Sequence, residues 1–170
     1  PSDPYRAYNN YYPSAVSFGT LAFEDSWPNR ADYDMNDLVL GYRFNTVTNG
    51  QNMVVEIHGD IIAKASGASY KNAFGFQLDG ISPNKISSVS GNSISPSTIF
   101  SLNANGLESL QTYANVIVFD NFYKVMQHPG LGTGINTSSD APYVSPDTVS
   151  VDLIFINNGV APPGGAVSIS

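Results

Sequence analysis

Cysteine is absent from this chain, which removes three chemistries: a disulfide framework, thiolate zinc sites and a cysteine nucleophile. The compartment stays open, because a secreted protein without cysteine can take rigidity from calcium instead. Positive charge is scarce. Arg6, Arg30, Arg43, Lys64, Lys71, Lys85 and Lys124 are scattered against 14 acidic residues, giving a net charge of −7. No basic stripe exists to neutralise phosphates, which argues against nucleic acid and against anionic membrane surfaces as partners. No apolar run approaches the length that spans a membrane, so direct membrane insertion is not expected. No signal peptide is visible, and both ends, Pro1-Ser2-Asp3-Pro4 and "VAPPGGAVSIS", read as cuts inside a longer polypeptide.

Catalytic constellations are also missing. His58 and His128 are the only histidines, and neither stands in H-E-x-x-H spacing. No G-x-S-x-G elbow or P-loop appears. A glycosidase needs two carboxylates across a cleft. Glu24 with Asp60, or Glu56 with Asp120, could be nominated, but nothing in the sequence pairs them. The chain reads as a non-enzyme, with glycan hydrolysis as the least favoured alternative.

What is present is a strand-forming sequence. At 170 residues and 42% hydrophobic content, the chain is expected to form one domain over 1–170, burying roughly 70% of its unfolded surface. In 37–44, Leu38, Leu40, Tyr42 and Phe44 alternate with Val39, Gly41 and Arg43, the period-two signature of a half-buried strand. Thr48-Asn49-Gly50 is a hairpin signal, since Asn-Gly takes the positive φ angles of a tight turn. In 52–65, Met53, Val55, Ile57 and Ile61 are assigned to one face and Glu56, His58 and Asp60 to the other. Further strands are predicted at 15–25, 73–79, 85–91, 97–102, 113–120 and 148–156, with a hint of helix at 104–113. Turn-rich gaps between short strands point to an all-β fold, an antiparallel β-sandwich (jelly-roll-like) with little helix.

The stretch "FEDSWPNRADYDMNDLVLGYRF" (23–44) gathers Glu24, Asp25, Asp32, Asp34 and Asp37, with Arg30 the only positive charge among them. Two carboxylates about 4 Å apart repel by roughly 4 kcal/mol at an effective dielectric near 20. Such a cluster must splay into water, take up protons or hold a cation. Asp32, Asp34 and Asn36 are spaced by two, so an extended or gently turning backbone projects them to one side. Carboxylates plus an amide, with no sulfur or nitrogen donor, are what Ca²⁺ requires. Magnesium prefers fewer carboxylates and more water. The D-x-D-x-N spacing matches the start of an EF-hand loop, but Asp37 stands where that loop needs Gly and Arg43 where it needs Glu. A solvated acidic turn held by Asx hydrogen bonds is the bland alternative. The expected metal set is Glu24, Asp25, Asp32, Asp34, Asn36 and Asp37, with Asp120 added from a neighbouring strand end.

This stretch also carries a family resemblance. "NNYYPSAVSFGTLAFEDSWPNRADYDMNDLVLGYRF" resembles the signature of LruC-type domains of bacterial surface and secreted proteins. Later segments do so as well: "VVEIHGDIIAKASGASYKNAFGFQL", "ANVIVFDN" and "GINTSSDAPYVSPDTVSVDLIF". Met35 stands where that family more often has Phe, and Ala31 replaces the usual glycine before the first aspartate. The acidic signature is similar to those of ligand-binding modules in large calcium-dependent adhesins. The resemblance implies an exported, calcium-loaded recognition module, secreted or at the bacterial cell surface, while the ligand itself is not implied.

Weaker candidates complete the reading. Asp120 and Asn121 end a strand, either near the acidic cluster or as a plain Asx turn. Asn72 and Asn136 read as loop-shaping amides, although Asn136-Thr137-Ser138 fits a glycosylation sequon. Tyr11, Tyr12, Trp27, Tyr33, Tyr70 and Tyr123 fall in or beside loops, where aromatics cap a core or stack on ligands. Trp27, Tyr33, Asn121 and Tyr123 are the expected ligand contacts. The leading expectation is a monomeric, calcium-dependent adhesion module for an extracellular peptide or glycan. A spacer that calcium only rigidifies is the alternative.

Overall fold

The computed structural model describes residues 7–24, 28–29, 32–157, 159–162 and 165–170. Among these, eight strands form: β1 (Tyr8–Tyr12), β2 (Gly19–Phe23), β3 (Leu38–Thr48), β4 (Val54–Ala65), β5 (Phe74–Leu78), β6 (Ile86–Ser90), β7 (Ala114–Phe119) and β8 (Asp147–Phe155). Every pairing between them is antiparallel. The fold is an all-β sandwich, with one short helix, α1 (Phe122–Val125), and a 3₁₀ turn at Pro83–Lys85.

The strands divide unequally, six in one sheet and two in the other. The large sheet runs β1-β3-β4-β8-β6, and β2 joins it by pairing with β3. β3 is long enough to hold both: Leu38–Tyr42 pair with β2 and Phe44–Thr48 with β1. The second sheet is the β5–β7 pair. Its aliphatic side chains pack onto the large sheet. Val116, Val118 and Phe119 are fully buried with Leu40, Ile57, Ile61, Val151 and Leu153, and the Phe76 ring meets Phe44 edge-on at 5.0 Å. This inter-sheet layer is the core.

Period two is obeyed where pairing is regular. In β8, Val149, Val151, Leu153 and Phe155 are buried while Ser150 and Ile154 are exposed. β4 departs from its predicted phase. Val47 pairs with Glu56 and Thr48 with Val54, so Val55 is the extra residue of a bulge. The slip moves Val54 into the core beside Ile57, Gly59, Ile61 and Ala63, while Met53 and Val55 are only half-buried. The hairpin is present, but its turn is wider than an Asn-Gly turn. The left-handed residue is Asn52 (φ 59°), and Asn49 closes the loop by accepting from Gln51 and Met53 amides through Oδ1.

Other elements differ from expectation. Tyr8–Tyr12 is an unpredicted strand, and the strand expected at 15–25 is confined to Gly19–Phe23. Residues 97–102 form no strand beyond an isolated bridge from Leu102 to Glu108. The helix hint at 104–113 fails, because Gly106 (φ 86°) and Leu110 (φ 63°) take left-handed backbone that no α-helix tolerates. Among the described residues, no helix is long and apolar enough to cross a membrane.

Candidate functional site

The acidic loop leaves β2 at Phe23 and re-enters the sheet at Leu38, so its two ends are register partners. Glu24, directly after β2, is 9% exposed, while Asp32 and Asp34 are exposed loop residues. One carboxylate oxygen from each of Glu24, Asp32 and Asp34 lies within 4.8 Å of the others. Of the extended and turning backbones that the spacing allowed, the loop takes a turning one. Tyr33 (φ 57°) and Met35 (φ 53°) both turn left-handed. The Asn36 amide donates to the Asp34 carboxylate, and the Tyr33 hydroxyl donates to the Asn29 carbonyl at 2.9 Å.

Glu24 shows what this crowding does. Its carboxyl is pushed from 4.5 up to about 7, first by hydrogen bonding toward Asp37, then by burial and by the charges of Asp37 and Asp32. The Met35 backbone N–H pulls weakly the other way. Among the described residues, Oε2 of Glu24 is buried with no hydrogen-bond partner. Buried polar oxygens are normally paired, so an orphan facing other carboxylates marks a place for a proton or a cation.

Behind the loop stands a support that sequence reasoning missed. Asp37 offers its carbonyl to the Ser66 hydroxyl at 3.0 Å and the Asn72 amide at 3.2 Å. Gly67 N–H donates to the Asn36 carbonyl at 2.8 Å. A Cβ on Gly67 would run into the Asn36 side-chain oxygen, so glycine is what lets the Asn36 side chain lie there. Ser66, fully buried, is pinned by reciprocal bonds with Ile135. The one available signal was "KASGASYKN", a run of small residues directly after a strong strand.

The expected site residues separate. Glu24, Asp32, Asp34, Asn36 and Asp37 come together, and Asp25 and Trp27 lie outside the described residues. Asp120 does not join the group. It accepts from the Ser95 amide at 3.0 Å and hydroxyl at 2.9 Å, and against the rise from burial these bonds, with one from Thr98, hold its carboxyl below the usual range. Asn121 caps α1 by accepting from Tyr123 N–H, and the Tyr123 hydroxyl donates to the Ala68 carbonyl at 2.7 Å. Both therefore buttress the 66–72 segment. Asn72 and Asn136 shape loops. Asn136 donates to the Lys64 and Val144 carbonyls and accepts from Val144 N–H.

A family model described as "Domain of unknown function (DUF4842)" matches residues 52–164. The chain belongs to the DUF4842 family. The matched range contains the Ser66–Asn72 support and every strand from β4 onward, while the acidic loop precedes it. No curated protein and no solved structure matches the chain.

Proposed function

We propose that this DUF4842 chain is a calcium-dependent, extracellular ligand-binding module of a bacterial surface protein. The observation that carries the reading is the Glu24 carboxylate, grouped with those of Asp32 and Asp34, whose buried Oε2 has no partner among the described residues. An all-oxygen donor set of this kind suits a hard cation, and Ca²⁺ accepts the uneven geometry of loop ligands more readily than Mg²⁺. Glu24, Asp32 and Asp34 would hold the ion, with Asn36 and Asp37 beside them. Bound calcium would supply charge neutralisation and a fixed loop geometry. The Asn36 amide orients Asp34, and the Ser66, Gly67 and Asn72 bonds fix the loop's return to β3. The resemblance to LruC-type domains supports the exported, adhesive context, and exposed Tyr33 gives the loop a surface for contact.

Calorimetric titration of the parent and Asp34→Asn with calcium tests the site. The substitution keeps shape and one oxygen but removes a charge, so affinity should fall while the metal-free protein stays folded. Equal affinity in both proteins removes Asp34 from the site, and no heat in the parent removes calcium from the function. A peptide and glycan array, run with calcium and with chelator, tests recognition. Calcium binding with no retained ligand in either arm leaves the rigidified spacer.

A further inference from the structure

The open face of the large sheet carries a polar cluster centred on β4. Glu56, His58 and Asp60 alternate with buried Ile57, Gly59 and Ile61, so all three stand on the side away from the core. Register places Asn45 of β3 and Asp152 of β8 on either side of His58. Nδ1 of His58 lies 2.6 Å from the Asp152 carboxylate, and Nε2 lies 3.0 Å from Glu56 Oε2. The side chains of Glu56, His58 and Asp152 are between 38% and 51% exposed, so an ion in solvent can reach them.

This cluster is short of positive charge and of donors. Arg43, the cation of the adjoining row, is taken by Asp60 at 2.8 Å, which leaves Glu56 and Asp152 sharing a single imidazole. Asn45 gives its side-chain N–H to Asn9, and its buried Oδ1 has no partner among the described residues. A hydrated cation would bring charge and, through its water, donors. The imidazole selects the kind of cation: nitrogen suits Zn²⁺, Cu²⁺ and Ni²⁺, whereas Ca²⁺ and Mg²⁺ take oxygen. Two ligands, each about 2.0–2.1 Å from an ion and 3.0 Å from one another, subtend roughly a right angle at it, as in tetragonal Cu²⁺ and Ni²⁺ sites. About 0.3 Å of further separation gives the tetrahedral angle of Zn²⁺.

We propose that His58 Nε2 and Glu56 Oε2 bind a divalent ion of the Zn²⁺, Cu²⁺ or Ni²⁺ class on this face, with Asp152 as a positioning residue. Binding releases the Nε2 proton to solvent. The Nδ1 proton stays on the Asp152 hydrogen bond, which holds the ring in the tautomer that offers Nε2 to the ion. Asp152 stands at the opposite ring nitrogen, and among the described residues no third His, Asp or Glu closes the set. Water therefore fills the remaining positions, and an ion so held is open to a donor from outside the chain. The nitrogen ligand sets this site apart from the acidic loop, which offers oxygen alone. None of its residues belongs to that loop, so it does not depend on calcium.

The test uses the chain without an affinity tag, in calcium-free buffer. Calorimetry with zinc chloride should show saturable, one-to-one binding that is lost in His58→Ala. Glu56→Gln gives up the charged ligand and should weaken it about tenfold. Asp152→Asn should weaken it about tenfold or more. His128→Ala and Asp34→Asn should bind as the parent does, and melting curves confirm that each variant folds. Substoichiometric Cu²⁺ followed by proton NMR gives a second reading, because His58 and His128 are the only histidines. The His58 ring signals should broaden before those of His128. Heteronuclear NMR of the zinc-loaded parent should find the ring proton on Nδ1, a signature that a merely structural Asp152 would not set. A proton on Nε2 instead would overturn the assigned geometry. Absence of saturable zinc, copper and nickel binding, equal affinity in His58→Ala, or broadening that begins at His128 overturns the proposal and leaves His58 in an ion pair only. Zinc heat lost in Asp34→Asn and kept in His58→Ala would move the ion to the acidic loop. Zinc binding without calcium binding would sink the loop reading alone, and the reverse result would sink this site alone.

Discussion

Glu24 governs the proton chemistry of the acidic loop. Its folded value of about 7 exceeds its ordinary 4.5, so the folded state holds the proton more tightly than the unfolded state. In metal-free protein the stability due to this group is full below about pH 4.5 and is lost as pH rises through about 7. A melting series in chelator should decline across that window, and Glu24→Gln should flatten the decline. On the proposed reading calcium displaces the same proton, so its affinity should fall as pH drops below about 7. Affinity independent of pH would place the ion elsewhere. Gly67 gives a second residue-scale expectation. In Gly67→Ala the added methyl meets the Asn36 side chain, which can swing away. Calcium affinity should therefore drop by calorimetry while the chelator melting temperature barely moves. Loss of both would mean that Gly67 serves folding alone.

Between strands, the clearest polar device is His58. On β4 it faces Asp152, its register partner on β8, with Nδ1 2.6 Å from the carboxylate, and Nε2 lies 3.0 Å from Glu56. The Asp152 hydrogen bond chiefly raises the imidazole above 6.5, against a lowering by burial. The sign follows directly: this cross-strand clamp is fully present below about pH 6.5 and fades as pH rises through the elevated folded value. Proton NMR titration should find the His58 midpoint above 6.5 and find it lower in Asp152→Asn. An unchanged midpoint in that variant would dismiss the clamp. Elements were legible in the sequence where one local pattern settles them. β3 and β8 show period two, and the acidic spacing drew Glu24, Asp32 and Asp34 into one group. The bulge at Val55 was not legible, because a slipped register exists only once Val47 has met Glu56. β1, "YNNYY", is exposed along its length and has no apolar alternation to read. The loop's support was hidden too, since Ser66 and Asn72 reach Asp37 from 29 and 35 residues away.

At the scale of the molecule, the acidic loop ties an edge strand of the large sheet to the strand with the most partners. β2 has one partner among the described strands, and β3, which has β1, β2 and β4, receives the loop's return. Loop order should therefore influence how firmly β2 docks. The β4–β8 half of the core carries no part of the loop, so its local openings should not depend on a cation. Calcium that binds only the native state should add about 2.7 kcal/mol at a hundredfold excess over Kd. For a chain of this size that is a rise of roughly 5–10 °C in melting temperature. The effect on local openings should be confined to β2 and the loop. On chelation, amide exchange should quicken through Gly19–Phe23 and the loop, while Ile57–Ile61 and Val151–Leu153 stay protected until global unfolding. A melt and an exchange map both indifferent to chelator, on protein shown metal-free by elemental analysis, would reduce the loop to a solvated acidic turn that stabilises Glu24 by protonation alone.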